Sequence, residues 1–330
     1  METAELRPLS LGELLDRTFT LYREHFWLFV GIMAIPAALG VPVNYAVSQV
    51  YLRNFTDPAK FASATPPFAL IWTFIGVFAL IGLVGSILYS IVAAAVTFAV
   101  AEAYLGRKST VAAAYKKALG KVWRLLGVAL NVLLRLFGIA IAVSVVVGGV
   151  GAVIIVAATA ALSAAVSAAR PAAAVFIVLL VLGLYAAILA SMVYLALRYA
   201  VAIPALMLED LGVLASIRRS VQLTKGRRGH VFIALLLAFV ISVVGSLVFY
   251  IPFYIATLMA IAKSHTVPAW LGLAMSVSSA VGRSLTGPIF LIVLVLCYYD
   301  TRIRKEAFDL QFMIASLDRR APATGTVPSA

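Results

Sequence analysis

Three times along the chain, a short basic segment with helical spacing runs straight into an apolar stretch longer than the roughly 20 residues needed to cross a bilayer. The segments begin near Leu11, Val111 and Val213. With 64% of its 330 residues hydrophobic and only 12% charged, such a chain cannot dress an ordinary water-facing surface, and lipid must be its main solvent. The expected fold class is all-α: a polytopic integral membrane helical bundle. Six spans are placed near Trp27 to Val50, Phe68 to Ala103, Leu125 to Ala160, Ala172 to Leu206, Val231 to Ala262 and Leu271 to Tyr299.

The distribution of charge orients these spans. Arg7, Arg17 and Arg23 precede the first run, and Arg107, Lys108, Lys116, Lys117, Lys121 and Arg124 separate the second from the third. Arg218, Arg219, Lys225, Arg227 and Arg228 lie between the fourth and fifth, and Arg302, Arg304, Lys305, Arg319 and Arg320 follow the last. The alternate connections carry only Arg53 and Lys60, then Arg170, then Lys263. By the positive-inside rule the basic blocks are cytoplasmic, which predicts six spans in the cell membrane with both termini in the cytoplasm. Splitting the long run from Phe68 at Gly82 and Gly85, or that from Leu125 at the glycines 148, 149 and 151, would place a basic block outside, so each is kept as one helix. Glu2 and Glu5 stand where a secretory signal has basic residues, so the first run is expected to be a retained span. Cys297 is the single cysteine, which excludes an intramolecular disulfide and a cysteine metal site.

The three basic segments align. Leu11, Leu15, Phe19 and Tyr22 match Val111, Tyr115, Leu119 and Val122, then Val213, Ile217 and Val221, with spacings of four and three that mark one helical face. Arg17, Lys117 and Arg219 share the equivalent basic position, each before a small residue: Thr18, Ala118 or Ser220. Ser10 and Glu13 form a capping-box start. The reading is a single membrane domain over 1–320 built from three basic interfacial amphipathic helices, each with a span and a return span. The pseudo-repeats cover about 9–105, 109–206 and 212–299, followed by a cytoplasmic segment at 300–320 and a disordered tail at 321–330.

Candidate functional residues fall into three groups. Arg17, Arg23, Lys117, Lys121, Arg219, Lys225, Arg227 and Arg228 are placed at the interface, where each basic residue contributes about 1 kcal/mol toward an anionic surface; the alternative is that they act only as orientation signals. Glu102, Asn131, Arg135, Arg198 and Arg283 are polar residues in or beside apolar runs. They suit an internal polar pathway or an anion site, or else snorkelling and structural pairing near span ends. Tyr299, Asp300, Arg302, Arg304, Glu306 and Asp309 form a C-terminal motif. Histidines 25, 230 and 265 lack metal-ligand spacing, so neither a metal nor another cofactor is expected. The glycines 148, 149 and 151 suit close helix packing, and prolines 36, 42, 204, 252 and 288 are expected to kink spans whose freed carbonyls neighbours re-satisfy. No aromatic platform or groove-reading helix accompanies the basic charge, which argues against nucleic acid as a partner.

Three stretches in order resemble the membrane-domain family of glycerophosphoryl diester phosphodiesterases. They are Arg7-Pro8-Leu9-Ser10-Leu11-Gly12-Glu13-Leu14-Leu15-Asp16-Arg17; Pro204 to Asp210 leading to Arg218-Arg219-Ser220 and Leu223-Thr224-Lys225-Gly226-Arg227; and Tyr298-Tyr299-Asp300-Thr301-Arg302-Ile303-Arg304-Lys305-Glu306 with Phe308-Asp309-Leu310. The resemblance implies a bacterial inner-membrane location. In fused members this portion accompanies a soluble phosphodiesterase barrel of about 250 residues, for which this chain has no soluble segment, so no phosphodiesterase activity is expected. The leading expectation is a non-enzymatic membrane protein engaging anionic lipids, or a membrane or cytoplasmic protein partner, through its basic interfacial helices. The alternatives are a transporter or lipid-translocating protein, and an accessory subunit that recruits a soluble enzyme.

Overall fold

The computed structural model describes residues 9–55, 68–164, 170–264 and 267–306; Asp309, His265 and the tail expected to be disordered lie outside them. The described residues form helices α1 (Leu11–Glu24), α2 (Phe26–Phe55), α3 (Phe68–Tyr104), α4 (Val111–Leu119), α5 (Val122–Ala164), α6 (Arg170–Tyr199), α7 (Ala202–Leu208), α8 (Val213–Thr224), α9 (Arg228–Ser264) and α10 (Ala269–Glu306). Six segments are long and apolar enough to cross a membrane. They lie in α2, α3, α5, α9 and α10, with the remaining one running from Tyr185 in α6 through α7 to Leu208. The protein is thus a multi-pass helical membrane protein. The two runs with internal glycines at which a split was weighed, α3 and α5, are each one continuous helix.

The three amphipathic segments are short helices preceding long ones. Ser10 accepts from the Glu13 amide while the Glu13 carboxylate accepts from the Ser10 amide, at 3.3 and 2.8 Å, which starts α1 with a capping box. Thr110 at the aligned position of α4 accepts from the Ala113 amide, whereas Gly212 before α8 has no side chain to do so. The same two aligned positions are fully buried in all three helices: Leu14 and Thr18, Ala114 and Ala118, Ser216 and Ser220. Small residues there bring the helices close to the spans. The seats also depend on glycine: a Cβ on Gly31 would lie 2.8 Å from Val111, the first residue of α4, and one on Gly127 would lie 2.7 Å from Val213, the first of α8.

The long helices are not equally enclosed. α10 packs against both α2 and α9, and every side chain from Leu291 to Tyr298 is buried. Two glycines set this seam: a Cβ at Gly287 would strike Met33 of α2, and one at Gly282 would press on the backbone of Ser246 in α9. Gly149, by contrast, has open space around it, so this member of the glycine cluster serves no close packing with a neighbour. The fourth predicted span, Ala172 to Leu206, is divided. α6 stops at Tyr199 and the buried α7 follows as a separate helix. Pro204 therefore kinks no span, because it occupies the first turn of α7, where its missing N–H removes no intrahelical bond.

At three prolines inside spans a side chain from another helix bonds a carbonyl of the preceding turn, and at Pro36 that carbonyl is the one the proline frees. Pro36 cannot bond the Ile32 carbonyl four residues earlier. The Tyr115 hydroxyl of α4 donates to it at 2.6 Å, and burial pushes that phenol's pKa up to about 12. In the turn before Pro288, the Leu285 carbonyl accepts from the Tyr22 hydroxyl of α1 at 2.5 Å. Before Pro252, the Phe249 carbonyl accepts from Ser278 of α10. The short helices α4 and α1 are thereby bonded to proline-bearing turns of the two spans that pack together, α2 and α10.

The latch predicts a thermodynamic cycle. Tyr115→Phe should destabilise by about 1–3 kcal/mol, the cost of an unsatisfied buried carbonyl. In a Pro36→Ala background, where residue 36 supplies its own N–H to Ile32, the same change should cost much less. Thermal unfolding of the four proteins in detergent measures this, and equal costs in both backgrounds would refute the latch.

Candidate functional site

The polar structure concentrates at the end of the bundle carrying α1, α4, α7 and α8, hereafter the basic end. Its centre is Glu209, which follows α7. Arg219 of α8 presents its Nε to both Glu209 oxygens at 3.1 and 2.9 Å and pairs through its other edge with Glu306 of α10. The Tyr298 hydroxyl donates to Glu209 at 2.7 Å and accepts from Arg302 at 2.9 Å. Arg302 also reaches Glu306 at 3.3 Å and Glu209 at 3.8 Å. Desolvation alone would lower the Arg219 pKa, yet the hydrogen bonds and charges of Glu209 and Glu306 raise it above its ordinary value. This network binds α8 and the α7–α8 turn to the end of α10.

A second cluster holds the start of the described chain. Asp300, only 1% exposed, accepts from the Leu9 amide at 2.9 Å, while Arg304 donates to the Leu9 carbonyl at 2.7 Å. Arg304 in turn makes paired bonds to Asp300 at 2.9 and 3.0 Å. The two side chains grip one residue's backbone from both sides. His230 at the start of α9 stands 3.6 Å from the same carboxylate. On the other flank, Lys121 and Arg124 each approach Asp210 at 2.8 Å, and Lys121 also donates to the Met207 carbonyl. The hydrogen bond and charge of Lys121, joined by Arg124, hold Asp210 below the usual carboxylate range.

The expected interfacial residues are distributed by this framework. Arg17 lies over the Tyr104 ring at 5.2 Å, and that ring meets Tyr299 at 5.5 Å. Arg219 is enclosed between two glutamates, while Lys117 at the aligned position is exposed, as are Arg23, Lys116, Arg218, Lys225 and Arg227. Sequence reasoning left Glu209, Asp210, Tyr298, Tyr194 and Tyr199 out of the candidate set. The available signal was an adjacent acidic pair in a chain with 13 acids against 26 basic residues.

The intramembrane polar set does not converge as one group. Arg135 donates to the Tyr199 hydroxyl at 3.2 Å and lies over its ring at 5.5 Å, and Arg198 lies 5.9 Å from the same ring. Arg135 is therefore level with the last residue of α6. This is possible because α5, at 43 residues, is about 64 Å long, twice the thickness of the hydrocarbon layer. Asn131, one turn earlier, leaves a buried Oδ1 without a partner. Arg283 is exposed and bonds to Ser279 of its own helix. Glu102 makes no ion pair among the described residues. No cluster of His, Cys, Asp and Glu suited to a metal is present among them.

Two outcomes are predicted. Glu209→Gln should lower stability by about 2 kcal/mol, since it leaves Glu306 as the one carboxylate shared by Arg219 and Arg302 in this network, whereas Lys117→Gln should leave the unfolding temperature unchanged; equal effects would refute the network. A depressed carboxyl pKa contributes stability that is complete above the unfolded value of about 3.9 and is lost as pH falls through the folded value. The small difference between wild type and Asp210→Asn at pH 7 should therefore vanish below that range.

No curated protein and no solved structure matches the chain. Residues 175–302, which run from α6 through α10 and include Glu209, Arg219, Tyr298 and Asp300, match the family model described as the membrane domain of glycerophosphoryl diester phosphodiesterase.

Proposed function

We propose that this is a non-enzymatic protein of the cytoplasmic membrane, with both termini in the cytoplasm, whose basic end engages anionic lipid headgroups. One observation carries the reading. The carboxylates Glu209, Asp300 and Glu306 are spent on cations inside the fold, while Arg23 of α1, Lys116 and Lys117 of α4, Arg218 of α8, and Lys225 and Arg227 after it are exposed. The surface left beside the headgroups is therefore more basic than the sequence's overall balance, and such a surface attracts anionic lipid within a Debye length. The reading takes the chain as a triplicated unit of interfacial helix, span and return span, supported by the aligned buried pairs. The matched family region is a membrane portion, and no nucleophile with a base partner joins it among the described residues. Transport has no comparable support, because Arg135 and Arg283 do not line a shared route.

Spin-labelled lipids in reconstituted vesicles test this. Phosphatidylglycerol should be enriched over phosphatidylcholine in the shell around the protein. Added salt, or the combined Lys116→Gln, Lys117→Gln, Arg218→Gln and Arg227→Gln changes, should abolish the enrichment. Equal shell occupancy by the two lipids would refute the proposal. A soluble protein retained from native membranes in the absence of such enrichment would favour recruitment instead.

A further inference from the structure

Arg283 stands within the span of α10, is exposed, and bonds to no other helix among the described residues. Its Nε donates to the Ser279 carbonyl at 3.3 Å and its Nη2 to the Ser279 hydroxyl at 2.6 Å, both one turn earlier on the same helix. A guanidinium carries five donors, and the others find no acceptor among the described residues. Arg135, by contrast, reaches the Tyr199 hydroxyl of a neighbouring helix.

The depth of this charge follows from what bounds α10. The helix begins at Ala269, where exposed Trp270 marks one interface. Toward the basic end, the Leu285 carbonyl receives the Tyr22 hydroxyl of α1. The guanidinium is drawn back to the level of Ser279, which at roughly 1.5 Å per residue is about 14 Å from Trp270 and about 9 Å from Leu285. The two markers are thus only about 23 Å apart, less than the roughly 30 Å of hydrocarbon. The layer therefore extends past Leu285, and the guanidinium lies near its centre. The side chain points toward the middle of the layer, which is not the direction of snorkelling.

A lipid-facing cation at that depth is among the costliest groups a span can carry, and such residues face a partner or water. A carboxylate is the acceptor of opposite charge and can bond two of the guanidinium donors at once. A second copy of the chain has none to offer at this level. α2, α5, α6 and α9 contain no Asp or Glu, and α10 has none before Asp300. Glu102 of α3 adjoins Tyr104, whose ring meets Tyr299 near the basic end.

We propose that Arg283 is the contact for a transmembrane helix of a different protein, one that carries an aspartate or glutamate near the middle of its span. This contact lies in the hydrocarbon layer and does not depend on the headgroup reading above.

Energy transfer in phosphatidylcholine vesicles tests it, between the labelled full-length protein and a labelled leucine-alanine transmembrane peptide with one central glutamate. That peptide should bind about tenfold or more tightly than its central-glutamine counterpart, since a charged pair replaces a neutral one. Arg283→Gln should remove the difference, Arg283→Lys should keep part of it, and Arg283→Glu should instead favour a peptide with a central lysine. Moving the glutamate two turns toward the peptide's end should weaken binding to the wild type, while Lys116→Gln at the basic end should change nothing. The position 283 variants should unfold near the wild-type temperature in detergent, as suits an exposed side chain. Equal binding of the glutamate and glutamine peptides, or a preference that survives Arg283→Gln, would overturn the proposal. Arg283-dependent energy transfer between two labelled copies of the protein would assign this face to self-association, and Arg283-dependent chloride flux would assign it to an anion path; either result would overturn it as well.

Discussion

Glu209 sits where the turn after α7, the face of α8 and the end of α10 meet, and its carboxylate is shared by Arg219, Arg302 and Tyr298. A half-buried carboxylate with three partners is worth keeping only if all of them stay in register, because removing one leaves the others desolvated and unpaired. That condition fixes the rotation of α8 about its axis. With Arg219 turned inward, the neighbouring Arg218 is directed outward and exposed. The same holds across the basic end: Asp300 and Arg304 fasten Leu9, and Asp210 gathers Lys121 and Arg124. In a chain with 13 acids against 26 basic residues, the pairing of Glu209, Asp300 and Glu306 inside the fold leaves exposed basic residues in excess of exposed acids at this end.

Backbone satisfaction provides the second tie. In lipid, a carbonyl released by proline has no water to turn to; Tyr115 of α4 supplies the donor for the one that Pro36 releases in α2, and Tyr22 of α1 bonds the Leu285 carbonyl in the turn before Pro288 of α10. The short helices α1 and α4 are thus bonded to proline-bearing turns of the two spans that pack on each other. A displacement of either interfacial helix would uncover a buried carbonyl, so the interfacial layer and the span core are energetically one unit.

Much of this was legible in the sequence, and the remainder was hidden for identifiable reasons. Apolar run lengths and the 3.6-residue spacing of Leu11, Leu15 and Tyr22 reveal spans and interfacial helices because both depend on local pattern. The break at Tyr199 was not visible, since the apolar run resumes through α7 and Arg198, in the last turn of α6, reads equally as a charge near a span end. The roles of Arg17, Lys117 and Arg219 were read as equivalent because alignment compares positions, whereas their partners come from elsewhere in the fold: Tyr104 for the first and Glu209 with Glu306 for the last. The partner of Arg135 was hidden for a related reason. Hydropathy places a residue within its run, but α5 is longer than the bilayer, and only its contact with Tyr199 shows its level.

The central claim is that internal pairing of the acids leaves α1, α4 and α8 facing anionic headgroups. Hydrogen–deuterium exchange of the protein in nanodiscs tests this most directly, comparing amides of these three helices in phosphatidylglycerol with those in phosphatidylcholine. The account predicts slower exchange in α1, α4 and α8 with the anionic lipid and little change in the buried part of α10. Identical exchange in both lipids would contradict it.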